Sequence, residues 1–138
     1  MTGLPSVERT PDGRRLVVDR FVAADRDAVW ELFRDTRRWP EWGPSVSDVR
    51  SSHRFVRACT TGEVQVAGGP WVPFEIRTCA DYRWTWRVAK IPATGHRVDA
   101  AAGGCRVVFE IPPVAAGYAV VCERALRRIE RLATESTG

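Results

Sequence analysis

The sequence predicts an α+β domain in which a curved antiparallel sheet wraps around a long C-terminal helix, with short helices after the first strand. Three observations predict it. Between residues 46 and 111, short runs of alternating character are separated by turn signals such as Ser51-Ser52, Gly68-Gly69-Pro70 and Gly103-Gly104, the spacing of consecutive hairpins. Four of those runs place apolar and aromatic side chains on one face and charges on the other, as period-two alternation does in a strand. After Pro112-Pro113 the chain carries Val114, Tyr118, Val121, Ala125, Ile129 and Leu132 at steps of three or four residues, an amphipathic stripe able to cover that apolar face.

Taken in order, residues 1–13 hold Pro5 and the turn signal Pro11-Asp12-Gly13 without a clear period. They are expected to form a lead-in arm, leaving residues 14–138 as a single domain. A chain of 138 residues with 44% hydrophobic content can supply one continuous core. Residues 14–22 suit a first strand. Asp25 then stands as an N-cap for a short helix carrying Val29, Trp30, Leu32 and Phe33, with Arg37 and Arg38 at its positive end. The following Trp39-Pro40-Glu41-Trp42-Gly43-Pro44 is expected to stop regular helix.

In the meander, Val72, Phe74 and Ile76 share a face against Glu75 and Arg77, and Tyr82, Trp84, Trp86 and Val88 oppose Arg83, Thr85 and Arg87. His96, Val98 and Ala100 oppose Arg97 and Asp99, and Cys105, Val107, Phe109 and Ile111 oppose Arg106 and Glu110. Thr61-Gly62, Ala80-Asp81 and Ala93-Thr94-Gly95 read as further turns, and Thr78 falls on the apolar face. That face is strongly aromatic and requires a cover.

Net charge is +4 and the isoelectric point about 9.2. The only lysine is Lys90, and the arginines are scattered among acids; Arg124, Arg127, Arg128 and Arg131 alternate with Glu123 and Glu130 at helical spacing. That pattern describes a solvated, partly self-paired helix face, and no nucleic-acid partner is expected. Cys59, Cys79, Cys105 and Cys122 lack a Cys-x-x-Cys pair and a nearby histidine, so they read as reduced core residues, with no metal and no cofactor expected. The apolar stretches are far shorter than the roughly 18 residues that span a bilayer, and no basic-then-apolar signal pattern opens the chain. A cytoplasmic protein without membrane insertion is expected, as monomer or homodimer.

The order of strand, helix, Trp-Pro-x-Trp turn, meander and long helix carries a family resemblance. Ala28-Val29-Trp30-Glu31-Leu32-Phe33-Arg34-Asp35, Arg38-Trp39-Pro40-Glu41-Trp42, Trp84-Thr85-Trp86-Arg87 and Gly95-His96-Arg97-Val98 resemble the START-like superfamily with the helix-grip fold, in particular small SRPBCC proteins of the polyketide cyclase/dehydrase and lipid-transport kind. The resemblance implies a cavity between sheet and last helix, occupied in different relatives by lipids, sterols, polyketides or plant hormones. It brings no shared catalytic motif that maps onto this chain.

The expected cavity lining is Phe74, Ile76, Tyr82, Trp84, Trp86, His96, Val98, Val107, Phe109, Tyr118 and Val121. His96 is the weak catalytic candidate: inside a cavity its imidazole could orient a ligand carbonyl or move a proton, or it could be held by Tyr82, Tyr118 or main chain for structural reasons. Tyr82 and Tyr118 could stand in the interior or at the rim. Six tryptophans in so short a chain serve either as an aromatic wall or as core, with Trp39 and Trp42 read as the plug at the helix-to-strand turn. Three functions remain compatible: carriage of an apolar or aromatic small molecule, a cyclase or dehydratase acting in the same cavity, and a protein-interaction module using Trp71, Val72 and Pro73 or the arginine-rich helix face.

Overall fold

The computed structural model describes residues 4–135. Its eight strands form one antiparallel sheet in the order β1-β2-β8-β7-β6-β5-β4-β3. They are β1 (Ser6–Thr10), β2 (Gly13–Val22), β3 (Val46–Ser51), β4 (Thr61–Val66), β5 (Trp71–Ala80), β6 (Arg83–Val88), β7 (Ile91–Ala101) and β8 (Gly104–Ile111). Helices α1 (Arg26–Arg34) and α2 (Trp39–Trp42) follow β2, and α3 (Ala119–Glu135) closes the chain. The sheet curves around α1 and α3, and the expected α+β architecture holds. No helix among the described residues is long and apolar enough to cross a membrane.

The reading of residues 1–13 as an arm needs correction. Ser6–Thr10 pairs with β2 along its length, from Ser6 opposite Val17 to Thr10 opposite Gly13. The turn is fixed by the Thr10 hydroxyl, which donates to the Gly13 carbonyl at 2.8 Å and accepts from the Asp12 N–H at 3.2 Å. Gly13 takes φ +102°, a conformation glycine adopts freely. The strand escaped notice because it is an edge with most of its side chains exposed, so no face of it is uniformly apolar.

Two of the expected turns lie inside strands instead. Thr61-Gly62 opens β4, where a Cβ on Gly62 would meet the Arg50 carbonyl oxygen at 2.1 Å, so that glycine serves close packing. Thr94 and Gly95 belong to β7. The actual β6–β7 turn is Ala89-Lys90, both left-handed at φ 51° and 66°, the geometry of a two-residue hairpin turn that usually advertises itself with Asn-Gly. Near Ile76 the β5–β6 register shifts, so Thr78 turns outward to bond the Thr85 hydroxyl at 2.7 Å, while Cys79 faces Val56. A bulge of this kind reverses side-chain parity beyond it.

After α1 the chain turns extended at Asp35, which bridges to Phe55, and re-enters helix through a 3₁₀ turn at Thr36–Arg38. Trp39–Trp42 forms one more turn, with Pro40 in its first positions, where a missing N–H costs nothing. At the other end α3 begins later than the periodicity suggests. Residues 113–118 form a tight 3₁₀ segment with Ala115 off helical geometry, and Val114 is 88% exposed rather than part of the stripe. The buried face of α3 is Cys122, Ala125, Leu126, Ile129 and Ala133.

Helix α3 packs mainly on β2, and α1 on β7. The inner face of the β3–β6 half is covered mainly by α2 and its tryptophans, with the 52–60 loop, whose Val56 is buried, closing over Ile76 and Cys79. On the outer face Glu110, only 1% exposed, receives Arg83 and Arg97 at 2.7 Å, in a network that continues through Asp12, Asp99, Arg106, Asp19 and Glu8. No disulfide forms. Cys105 and Cys122 are buried, Cys79 is half-buried, and Cys59, expected in the core, is exposed.

Candidate ligand site

The site grows from the Trp-Pro-x-Trp turn. The last carbonyls of a helix lack intrahelical partners, and at the end of α1 two indoles supply them. Trp39 Nε1–H donates to the Phe33 carbonyl at 2.9 Å and Trp42 Nε1–H to the Leu32 carbonyl at 3.0 Å. Both rings are thereby fixed beneath α1 and against the sheet. Trp39 stacks on Trp84 with centroids 5.3 Å apart and planes 11° from parallel, and Trp84 stacks in turn on His96 at 3.7 Å.

Pairing sets the next layer. Trp84 lies opposite His96, and His96 opposite Phe109, across β6, β7 and β8, so three alternating strands deliver one row of rings. His96 is 2% exposed. Its Nδ1 lies 3.4 Å from the Trp84 carbonyl and its Nε2 3.3 Å from the Thr94 hydroxyl. A carbonyl only accepts, so Nδ1 carries the proton and Nε2 accepts from Thr94. Thr94 in turn accepts from Trp86 Nε1–H at 3.2 Å. Burial lowers the imidazole pKa from 6.5 to about 3, against the upward pull of the Trp84 carbonyl and with the help of Arg83. The ring is neutral at physiological pH.

An inner pocket of about 40 Å³ remains between these rings and α3, bounded by Trp42, Trp84, Trp86, Thr94, His96, Phe109, Val121, Cys122 and Ala125. Beside it, sharing Ser45, Val46, Trp86, Thr94 and Tyr118 as lining, lies an open groove of about 350 Å³ whose other walls are Val64, Val66, Val88, Ile91, Pro92, Ala93 and Ala115. The hydroxyls of Ser45 and Tyr118 are hydrogen-bonded to each other. Residues common to the two spaces, Ser45, Val46, Trp86, Thr94 and Tyr118, stand between them, and we call this boundary the neck. Among the described residues, no charged side chain lines either space.

Of the residues expected to line a cavity, Trp84, Trp86, His96, Phe109, Tyr118 and Val121 meet at the inner pocket. Phe74, Ile76, Val98 and Val107 are buried in the core instead. Tyr82 sits in the β5–β6 turn at φ 62°, outside the site. Its hydroxyl donates to Asp27 at 2.6 Å, and Arg26 lies over its ring at 3.7 Å. Thr94, Ser45, Val46 and the α3 residues Cys122 and Ala125 went unforeseen as lining. Thr94 was hidden by its reading as a turn. Cys122 and Ala125 follow one helical turn from Tyr118 and Val121 and were within reach of the periodicity.

A curved antiparallel sheet holding a C-terminal helix, with an apolar site at their open end, defines a START-like protein of the helix-grip fold. More narrowly, residues 13–135 match the model of the polyketide cyclase/dehydrase and lipid transport family, and the chain belongs to that family. It is 29% identical over 126 residues to the uncharacterised protein Rv2574 of Mycobacterium tuberculosis, an alignment covering 85% of this chain and 74% of that one. Among solved structures it is similar to protein Ms6760 of Mycobacterium smegmatis, with TM-score 0.63, 17% identity and coverage of 95% and 98% of the two chains. It is also similar to the di-domain aromatase/cyclase StfQ of the steffimycin biosynthetic pathway, with TM-score 0.66 and 14% identity over 88% of this chain and 51% of that one. These structural likenesses establish the fold.

Proposed function

We propose that the protein binds and carries an apolar or aromatic small molecule, whose body lies in the groove and whose tip passes the neck toward Trp84 and Thr94. The observation that carries this reading is an apolar groove adjoining an aromatic inner pocket, the two sharing Ser45, Val46, Trp86, Thr94 and Tyr118 as walls. Ligand sites typically occupy about 300–1,000 Å³ and are mostly apolar with few placed polar groups. The groove reaches that range at about 350 Å³. The inner pocket, at about 40 Å³, accommodates roughly three water-sized groups, so it takes a ligand's tip and not its body. Family membership supports the same reading.

Proton transfer has little to work with here. An imidazole that titrates near pH 3 is a weak base at neutrality, since efficient acid–base groups titrate near the working pH. The reading therefore assigns His96 to holding Thr94 in place. Native mass spectrometry of gently purified protein, compared with an organic extract of the denatured sample, tests the proposal. A released neutral apolar molecule is expected; a clean apo mass together with no binding of added butylbenzene would sink it.

A further inference from the structure

Four tryptophans surround the inner pocket, and three of them spend their indole N–H on the protein: Trp39 on the Phe33 carbonyl, Trp42 on the Leu32 carbonyl and Trp86 on Thr94. Trp84 does not. It is fully buried, and its Nε1 has no hydrogen-bond partner. A buried donor left unpaired is among the costlier defects a core can carry. The ring is stacked against Trp39 and against His96 and is one of the walls of the pocket; its packed neighbours leave Nε1 no accessible surface, so an acceptor reaches it only as a ligand tip presses them aside.

The other polar atoms there are already matched. Thr94 donates to His96 and accepts from Trp86, and Ser45 bonds Tyr118. What the pocket lacks is an acceptor. With no charged group on its walls and a neutral imidazole, the pocket offers nothing to balance a carboxylate, and burying an unpaired ion is prohibitive.

We infer that Trp84 is the specificity-determining donor of the site and that the ligand is a neutral apolar molecule presenting a carbonyl-type oxygen, which accepts the Trp84 indole N–H at the end of the pocket. This inference rests on the carrier reading and narrows it to ketones, quinones, esters and similar molecules, against free fatty acids and plain hydrocarbons.

Calorimetric titration with three compounds of similar shape, butyrophenone, butylbenzene and 4-phenylbutanoate, tests it in the wild type and in Trp84→Phe, which keeps a stacking ring and removes the donor. The variant is expected to weaken butyrophenone relative to butylbenzene by about tenfold, and 4-phenylbutanoate is expected to bind weakest to the wild type. In the wild type the Trp84 indole proton should move downfield with butyrophenone and not with butylbenzene, a readout independent of how well the variant folds. An unchanged affinity ratio in a folded variant overturns the inference. So does an indole proton insensitive to the ketone, as expected if Trp86, whose ring stands edge-to-face with Trp84 at 5.5 Å, or water alone already satisfies it. Tight binding of 4-phenylbutanoate overturns the neutral-ligand assignment. If the wild type binds neither neutral compound, the carrier reading falls and this inference with it; if both bind with an unaltered ratio, only the inference falls.

Discussion

His96 is buried as a neutral base, and that makes stability depend on pH in a definite direction. Its folded pKa, about 3, lies below the ordinary 6.5. The neutral ring's contribution is fully present above pH 6.5 and is lost as pH falls toward 3, because over that window the unfolded chain takes up a proton that the native state refuses. Thermal melts should therefore fall as pH drops from 6.5 to 4, and His96→Phe should flatten the decline. A variant with the wild-type slope would show that the carboxylates, and not this ring, govern acid stability. Trp39→Phe keeps a ring against Trp84 but frees the Phe33 carbonyl, and should cost about 1–3 kcal/mol in chemical denaturation. At this scale alternation was enough to bring Trp84, His96 and Phe109 together, because all their pairings lie to one side of the β6–β7 register shift between Thr85 and Arg87. It failed for Tyr82, which lies in a left-handed turn, and for Thr78, beyond a bulge, since neither departure leaves a sequence mark.

At the scale of elements, the 3₁₀ segment before α3 supplies Ala115 and Tyr118 to the wall of the groove. Gly117 has open space where a Cβ would stand and no left-handed backbone, so Gly117→Ala should stabilise the protein by about 0.4–1 kcal/mol by restricting the unfolded chain; a fall in melting temperature would contradict this. Tyr118→Phe removes the bond to Ser45 across the neck and should speed association of butylbenzene by about two- to tenfold, read by stopped-flow tryptophan fluorescence. The late start of α3 was not legible because Val114 and Tyr118 continue the apolar period through residues whose backbone is not helical. Likewise the Ala89-Lys90 turn carries no glycine or asparagine to announce it, whereas the glycines of Gly103-Gly104 do.

For the whole molecule, the division of labour between sheet faces is the main result. The outer face is held by ion pairs around Glu110, whose side chain lies across Gly95: a Cβ there would stand 2.9 Å from Glu110 Oε1. Gly95→Ala should therefore cost about 1–3 kcal/mol by overpacking, and a variant as stable as the wild type would show that the carboxylate can yield. The inner face is divided again: α3 and α1 close the β2, β7 and β8 half, and the tryptophans of α2 partly close the rest, leaving the groove. Fold class and the aromatic row followed from periodicity, while the size of the free space did not, because volume depends on rotamers and helix placement that no local pattern encodes.

The central claim, that an apolar ligand enters the groove and reaches the tryptophan row, is tested most directly by following the indole N–H signals during titration with butylbenzene. Trp39, Trp42, Trp84 and Trp86, which line the pocket, should shift together and saturate. Trp30, packed on Tyr82, and Trp71, beneath Arg50, should stay in place. Shifts confined to Trp30 or Trp71, or no saturable shift at all, would contradict the account.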